Sequence, residues 1–183
     1  MMYLRYSVHL FFCAALLLAV TPPPAFSQES SPAAAAADVE SIDAIMEAVY
    51  DVISGPAGEK RDWGRFRSLF VPGAKLIPTF KPQDGEGIDH QMWSPEGYIE
   101  RAGDRLEEQG FFEQEIHRVI ERFGPIVHVF STYEARQKAE DAQPFVRGIN
   151  SFQLLDDGKR WWVVNIYWTA ERPDLPIPAK YLP

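Results

Sequence analysis

The chain has 183 residues, of which 46% are hydrophobic and 24% charged, with a formal net charge of −8. That acidic balance, with no Lys/Arg cluster, excludes nucleic acid and anionic membrane surfaces as partners, since both repel it. The single cysteine, Cys13, excludes a disulfide framework.

Residues 1–27 read as an export signal. Arg5 supplies a weak positive start, Leu10 to Val20 an apolar stretch shorter than the roughly 20 residues a bilayer takes, and Ala25-Phe26-Ser27 a small-x-small cleavage site before Gln28. A short membrane anchor is the alternative reading. Cleavage places the protein in the periplasm or outside the cell, removes Cys13, takes the charge from −8 to −9 with the loss of Arg5, and leaves no membrane span. Residues 28–37 read as a polar, alanine-rich flexible linker, 38–172 as one domain, and 173–183 (PDLPIPAKYLP) as a proline-rich arm.

Within the domain, Val39, Ile42, Ile45, Met46, Val49, Tyr50 and Ile53 recur at helical spacing, with Asp38 or Ser41 as cap and Ser54-Gly55-Pro56 as stop. Asp62 opens a short second helix through Trp63, Phe66, Leu69 and Phe70, closed by Pro72-Gly73. Ala74 to Phe80 and Ile88 to Trp93 read as a short strand pair. Ser94-Pro95-Glu96 starts a third helix that ends at Gly110. From Phe111 the period changes to two: 111–123 and 126–137 are long strands broken at Gly124-Pro125, and 145–171 is a hairpin turning at Asp157-Gly158. Helices first and long antiparallel strands after them predict an α+β domain: about three helices on a strongly curved, mostly antiparallel sheet of four long strands plus the short pair.

A two-residue turn at Asp157-Gly158 sets the hairpin register. One face then holds Leu154/Trp161, Phe152/Val163, Asn150/Asn165 and Gly148/Tyr167. The other holds Gln153/Trp162, Ser151/Val164, Ile149/Ile166 and Arg147/Trp168. Both faces are apolar, so both want a cover.

Three blocks, RDWGRFRSLFVPGAKLI (61–77), HVFSTYEAR (128–136) and RGINSFQLLDDGKRWWVVNIYW (147–168), together with the element order, resemble the nuclear-transport-factor-2-like, or SnoaL-like, superfamily. The resemblance covers nearly all of 39–171 and implies a cone-shaped roll, with the Trp161–Val163 face as the cone interior and the opposite face open to a dimer partner. It specifies fold better than function, because this fold serves isomerases, dehydratases, hydrolases, cyclases and non-catalytic binding modules alike.

Under that resemblance the expected ligand pocket is lined by Asn150, Asn165, Tyr167, Trp161, Phe152, Trp63, Tyr50 and Tyr133. The Asn pair can equally bond to itself or to a buried water. A homodimer is expected through Trp162, Val164, Ile166 and Trp168. Catalytic candidates are Tyr167 as a hydrogen-bond donor and His117 or Asp62 to move a proton. Each has a plainer alternative. Alternation in the first long strand puts Glu113, Glu115, His117 and Glu121 outward in solvent, and Asp62-Trp63 reads as a helix cap and a core tryptophan. His90, His117 and His128 match no metal-ligand spacing, and no cofactor motif is present. The sequence thus supports an exported domain that holds a small apolar or amphipathic ligand. The alternative is a cofactor-free lyase, isomerase or hydrolase for a small carbonyl, polyketide-like or steroid-like substrate, which requires a carboxylate or histidine inside the cone.

Overall fold

The structure, a computed structural model, describes residues 33–83 and 85–183. The export signal and most of the linker lie outside the described residues. Among the described residues four α-helices, α1 (Ala36–Val39), α2 (Ile42–Ile53), α3 (Trp63–Ser68) and α4 (Pro95–Gln109), pack on a six-stranded sheet. The strands are β1 (Phe70–Phe80), β2 (Asp89–His90), β3 (Phe112–Phe123), β4 (Ile126–Arg136), β5 (Val146–Asp156) and β6 (Trp161–Ala170), in the order β2-β1-β6-β5-β4-β3. All neighbours are antiparallel except β1 and β6, which run parallel. This is the predicted α+β roll. Among the described residues, no helix is long and apolar enough to cross a membrane.

The expected first helix is divided. Ser41, in an extended conformation, accepts a hydrogen bond from the Ala44 N–H at 3.0 Å and caps α2, so α1 is a separate turn that takes in the end of the predicted linker. Ser94 caps α4 in the same way, Pro95 takes its first position, and Gly110 ends it at a positive φ of 76° that a side chain would resist. The core forms between the apolar stripe of α2, the α3–α4 pair and the inner sheet face. Ile45, Met46, Phe66, Leu69, Val129, Phe152 and Val163 are all inaccessible or nearly so.

The hairpin register differs from the expected one in two ways. The loop holds four residues, with Asp156 opposite Trp161, because the Asp157 carboxylate accepts from the Lys159 and Arg160 amides and tightens a longer turn. Val164 is then an extra residue in β6: Leu154 pairs with Val163, but Gln153 pairs with Asn165. A one-residue bulge reverses the face of everything beyond it. Trp161 and Val163 face inward as predicted. Asn165 and Tyr167 turn to the outer face, and Ile166 and Trp168, predicted to lie outside in a dimer contact, turn in. Asn150 pairs with Trp168, so the expected Asn150/Asn165 pair does not exist.

A second bulge, at Ile116 in β3, has a larger consequence. Glu115 pairs with Tyr133 and His117 with Thr132. Glu113 and Glu115 therefore share the inner face of the sheet, while His117 and Glu121 stay outside as expected. The proline-rich arm covers part of that outer face: the Thr132 hydroxyl donates to the Tyr181 carbonyl at 2.6 Å, and the Tyr181 ring packs on Phe130.

Candidate active site

The cone is not filled. A cavity of about 600 Å³ lies between α2, α4 and the inner sheet face, within the size range of small-molecule sites. Its body is apolar, with Phe66, Leu76, Phe152 and Ile166 among the wall residues. Its polar wall groups include Glu113, Asn150 and three tyrosines, Tyr50, Tyr98 and Tyr133.

Local contacts fix Glu113. The end of α2 is stitched to the start of β3: Gly55 and Phe111 exchange backbone hydrogen bonds, and the Ser54 hydroxyl accepts from the Glu113 N–H at 3.0 Å. This places Glu113 beside Tyr50, one turn back along α2. One Glu113 carboxylate oxygen accepts from the Asn150 side-chain amide at 3.1 Å. The other has no protein partner. Among the described residues no fully buried side-chain polar atom is left unsatisfied, so this oxygen opens onto the cavity. The side chain is half-buried and lines the cavity. Burial pushes the carboxyl up to about 7, against the opposing pull of the Asn150 hydrogen bond.

Tyr98 and Tyr133 stand near it. Tyr98, in the first turn of α4, stacks on Phe66 at 5.4 Å. Tyr133 faces Gly148 across β4 and β5, where a Cβ would lie 2.6 Å from the tyrosine oxygen, so only glycine leaves room for that ring. Neither hydroxyl bonds to another described residue. Burial, reinforced by the Glu113 charge, raises both phenols well above the ordinary tyrosine range and keeps them neutral donors at physiological pH.

Behind Glu113 runs a hydrogen-bonded chain with a definite direction. The Glu115 carboxylate, paired with Arg118, can only accept, and the Ser131 hydroxyl donates to it at 2.5 Å. Ser131 must then accept from the Tyr50 hydroxyl at 2.7 Å. That hydroxyl in turn presents a lone pair to the Asn150 amide at 3.1 Å, and the same amide nitrogen bonds Glu113. The Glu115–Arg118 pair thereby fixes which way the Asn150 amide points. Ser131→Ala removes the acceptor of the Tyr50 proton and weakens the Asn150 donation. The Glu113 carboxyl is expected to rise by about half a unit to one unit, read from its titration by carbon NMR; an unchanged or lowered value contradicts the relay.

Of the expected pocket residues, Asn150, Phe152, Tyr50 and Tyr133 line the cavity. Trp161 is buried on the same face, under the Arg122 guanidinium 5.1 Å from its ring, but lies beyond the cavity wall. Trp63 packs edge-on to Phe66 and donates its indole N–H to Glu107 at 2.8 Å, a structural position. Asp62 caps α3 through the Arg65 amide at 2.8 Å and does not reach the cavity. Tyr167, about half exposed, and Asn165 and His117 are on the outer face. Glu113 and Tyr98 were not among the expected site residues. For Tyr98 the signal was available, one turn into a capped helix whose apolar stripe includes Ala102 and Leu106. For Glu113 it was hidden by the bulge. Among the described residues, no group of three or more His, Asp or Glu side chains is placed to hold a metal ion.

No protein-family model and no curated protein matches the chain. Among solved structures, it is similar to a protein of unknown function with a cystatin-like fold from Nostoc punctiforme. The two share 14% identity, the match covers 72% of this chain and 91% of that one, and the TM-score is 0.52. It is also similar to an NTF-2 like protein of unknown function from Silicibacter pomeroyi, at 15% identity, 72% and 94% coverage and a TM-score of 0.49. Such likenesses speak to fold alone. Element order, sheet topology and the cystatin-like match agree that the chain has the nuclear-transport-factor-2-like fold its sequence resembles.

Proposed function

We propose that the cone binds a small amphipathic molecule and moves a proton on it, as a lyase or isomerase with Glu113 as general base and the Tyr98 and Tyr133 hydroxyls as donors to the oxygen on which charge develops. One observation carries this reading: a carboxylate oxygen and two phenols, all without protein partners, open onto the same apolar-walled cavity. A base that titrates near neutrality is half ionised at working pH and still strong enough to take a proton. Neutral phenols held in place offer donors to an enolate-like oxygen without reorganising. Glu113 and this pair of phenols replace the sequence-based expectation of Tyr167 as donor and of His117 or Asp62 as base.

The test uses a probe that reports a base in an apolar cavity, 5-nitrobenzisoxazole. Removal of its C3 proton drives the electron pair into a nitrile and breaks the N–O bond, leaving a coloured cyanophenolate. Wild type is expected to accelerate this reaction with a rate that rises with pH through about 7, and Glu113→Gln to lose at least about 100-fold. Wild type no faster than Glu113→Gln would leave a binding domain without chemistry. Export through residues 1–27 and a homodimer through the outer face around Trp162 and Val164 belong to the same proposal. Light scattering of the exported protein tests the dimer, and a monomer mass at micromolar concentration rejects it.

A further inference from the structure

Eleven arginines fall within the described residues, and nine of them are engaged by protein acceptors. Arg65, Arg67, Arg118, Arg122, Arg136, Arg147 and Arg172 each hold a carboxylate, and Arg61 and Arg160 bond backbone carbonyls. Arg101 and Arg105 make neither an ion pair nor a hydrogen bond to any described residue. In a chain of net charge −8 this is a conspicuous omission, because acceptors are abundant. α4 itself carries Glu100, Asp104 and Glu108.

Both arginines line the cavity. They sit four residues apart on α4, hence about 6 Å apart on one face. The Tyr98–Ala102–Leu106 row beside them forms the cavity wall, with Ala102 and Leu106 buried, while Arg101 and Arg105 are exposed at the rim. Arg101 is braced over the Trp93 ring at 5.6 Å. Arg105 is close enough to Tyr98 that its charge offsets part of that phenol's rise. Like charges at this spacing repel along a helix, and an anion that spans them relieves the repulsion. The acidic groups that face the rim do not quench it. Glu113 is the one carboxylate in the cavity wall among the described residues, and Glu107 is engaged by Lys60, Trp63 and the Arg61 amide.

We infer that the ligand of this cavity is an amphipathic anion, whose carboxylate is held at the rim by Arg101 and Arg105 while its uncharged end reaches Glu113. The inference rests on the proposal that the cavity is a ligand site, but not on catalysis there. A planar guanidinium matches a carboxylate with two parallel hydrogen bonds, and two on one helix face give the rim a directional grip. The arrangement also sets orientation. A negative head is repelled from the Glu113 end and attracted to the mouth, which leaves the neutral, reacting end at the base.

The test is isothermal calorimetry at low salt with three probes that share one apolar body: 4-phenylbutyrate, 4-phenylbutanamide and 4-phenylbutylamine. Wild type is expected to bind the carboxylate at least about tenfold more tightly than the amide and to bind the amine most weakly, with the carboxylate preference shrinking as salt rises. The R101Q/R105Q double variant is expected to bind carboxylate and amide equally, and R101E/R105E to reverse the order. Circular dichroism confirms that the variants fold. Equal binding of carboxylate and amide by wild type, a preference that survives in R101Q/R105Q, or no binding of any probe overturns the inference. Calorimetry requires no turnover, so a protein that prefers the carboxylate yet leaves 5-nitrobenzisoxazole untouched supports the anion site and rejects the catalytic reading. Turnover without the preference does the reverse.

Discussion

Glu113→Gln is expected to make the protein more stable at alkaline pH while abolishing its proposed chemistry. The sign follows from linkage. In the unfolded chain this carboxyl titrates near its ordinary 4.5; in the folded protein, burial raises it to about 7. Below 4.5 both states hold the proton and the native contribution is complete. Between about 4.5 and 7 the unfolded chain gives up its proton while the native state keeps it, so stability falls as pH rises, by about 1.4 kcal/mol per unit. Above 7 the loss is complete, at about 3 kcal/mol. Glutamine keeps the acceptor for the Asn150 amide and carries no charge to desolvate. The variant is expected to escape that decline and, in thermal melts at pH 9, to unfold about 8 °C above wild type, with the two close together at pH 4. The acid limb stays in both proteins. Asp38, Glu96, Glu134 and Glu171 are held below the usual carboxylate range, chiefly by hydrogen bonds from arginines and the backbone, although burial pushes Glu134 the other way. Their contribution is lost only as pH falls through those lowered values. A melt difference that does not grow with pH contradicts this assignment of Glu113. The proposed site thus gives up stability where it keeps its reactive group.

Replacement of Arg61 by methionine is expected to cost about 3–5 kcal/mol, at the upper end of what a single substitution does. Arg61 is 7% exposed, and its five N–H groups meet five carbonyls: Ile53 at 3.1 Å, Gly55 at 2.5 Å, Pro56 at 3.4 Å, Glu59 at 2.8 Å and Leu106 at 3.0 Å. These carbonyls belong to the C-terminal end of α2, the loop after it and the last turn of α4, where carbonyls lack partners within a helix. Glu107 completes the clasp by accepting from the Arg61 amide, the Lys60 ammonium and the Trp63 indole. Methionine fills the volume but removes all five donors, and leaves the carbonyls of the buried residues Ile53 and Leu106 without the guanidinium that pairs them. Lysine is expected to rescue little, since three donors on one ammonium cannot reach five carbonyls spread around a plane. Urea unfolding measures this directly; a midpoint shift equivalent to less than about 1 kcal/mol for Arg61→Met contradicts the assignment. The clasp also bears on the site, because Leu106 and Ile53 are cavity wall and Gly55 anchors the strand that carries Glu113.

These two residues show where sequence reasoning reached and where it stopped. The helix starts at Ser41, Asp62 and Ser94 were legible because a side-chain cap is a local event. The α+β roll was legible because the period changes at Phe111 and stays changed. Tyr50, Tyr133, Asn150 and Phe152 came out on the inner face because the surplus residues lie in β3 and β6, so the periods of α2, β4 and β5 run unbroken. Register across a bulge is not local. Ile116 and Val164 are ordinary strand residues, and nothing in their chemistry announces that one of them is surplus. Yet each reverses the face of every residue on its far side, which hid Glu113, exchanged Tyr167 for Trp168 and removed half of the predicted dimer patch. Gly124-Pro125, where an insertion was easier to suspect, keeps the β3–β4 pairing regular. Arg61 is a different case: a charged residue in a loop reads as solvated until tertiary structure delivers five carbonyls to it.

Glu113 is the centre of the proposed site, as a desolvated carboxyl that faces the cavity and is raised to near neutrality. The direct measurement is a carbon NMR titration of the glutamate side-chain carboxyls from pH 3 to 10, with the Glu113 resonance assigned by its absence in Glu113→Gln. A single carboxyl with a midpoint at about 7, lost in that variant, is the predicted result. A Glu113 resonance that titrates with the solvent-exposed glutamates, near 4.5, contradicts it.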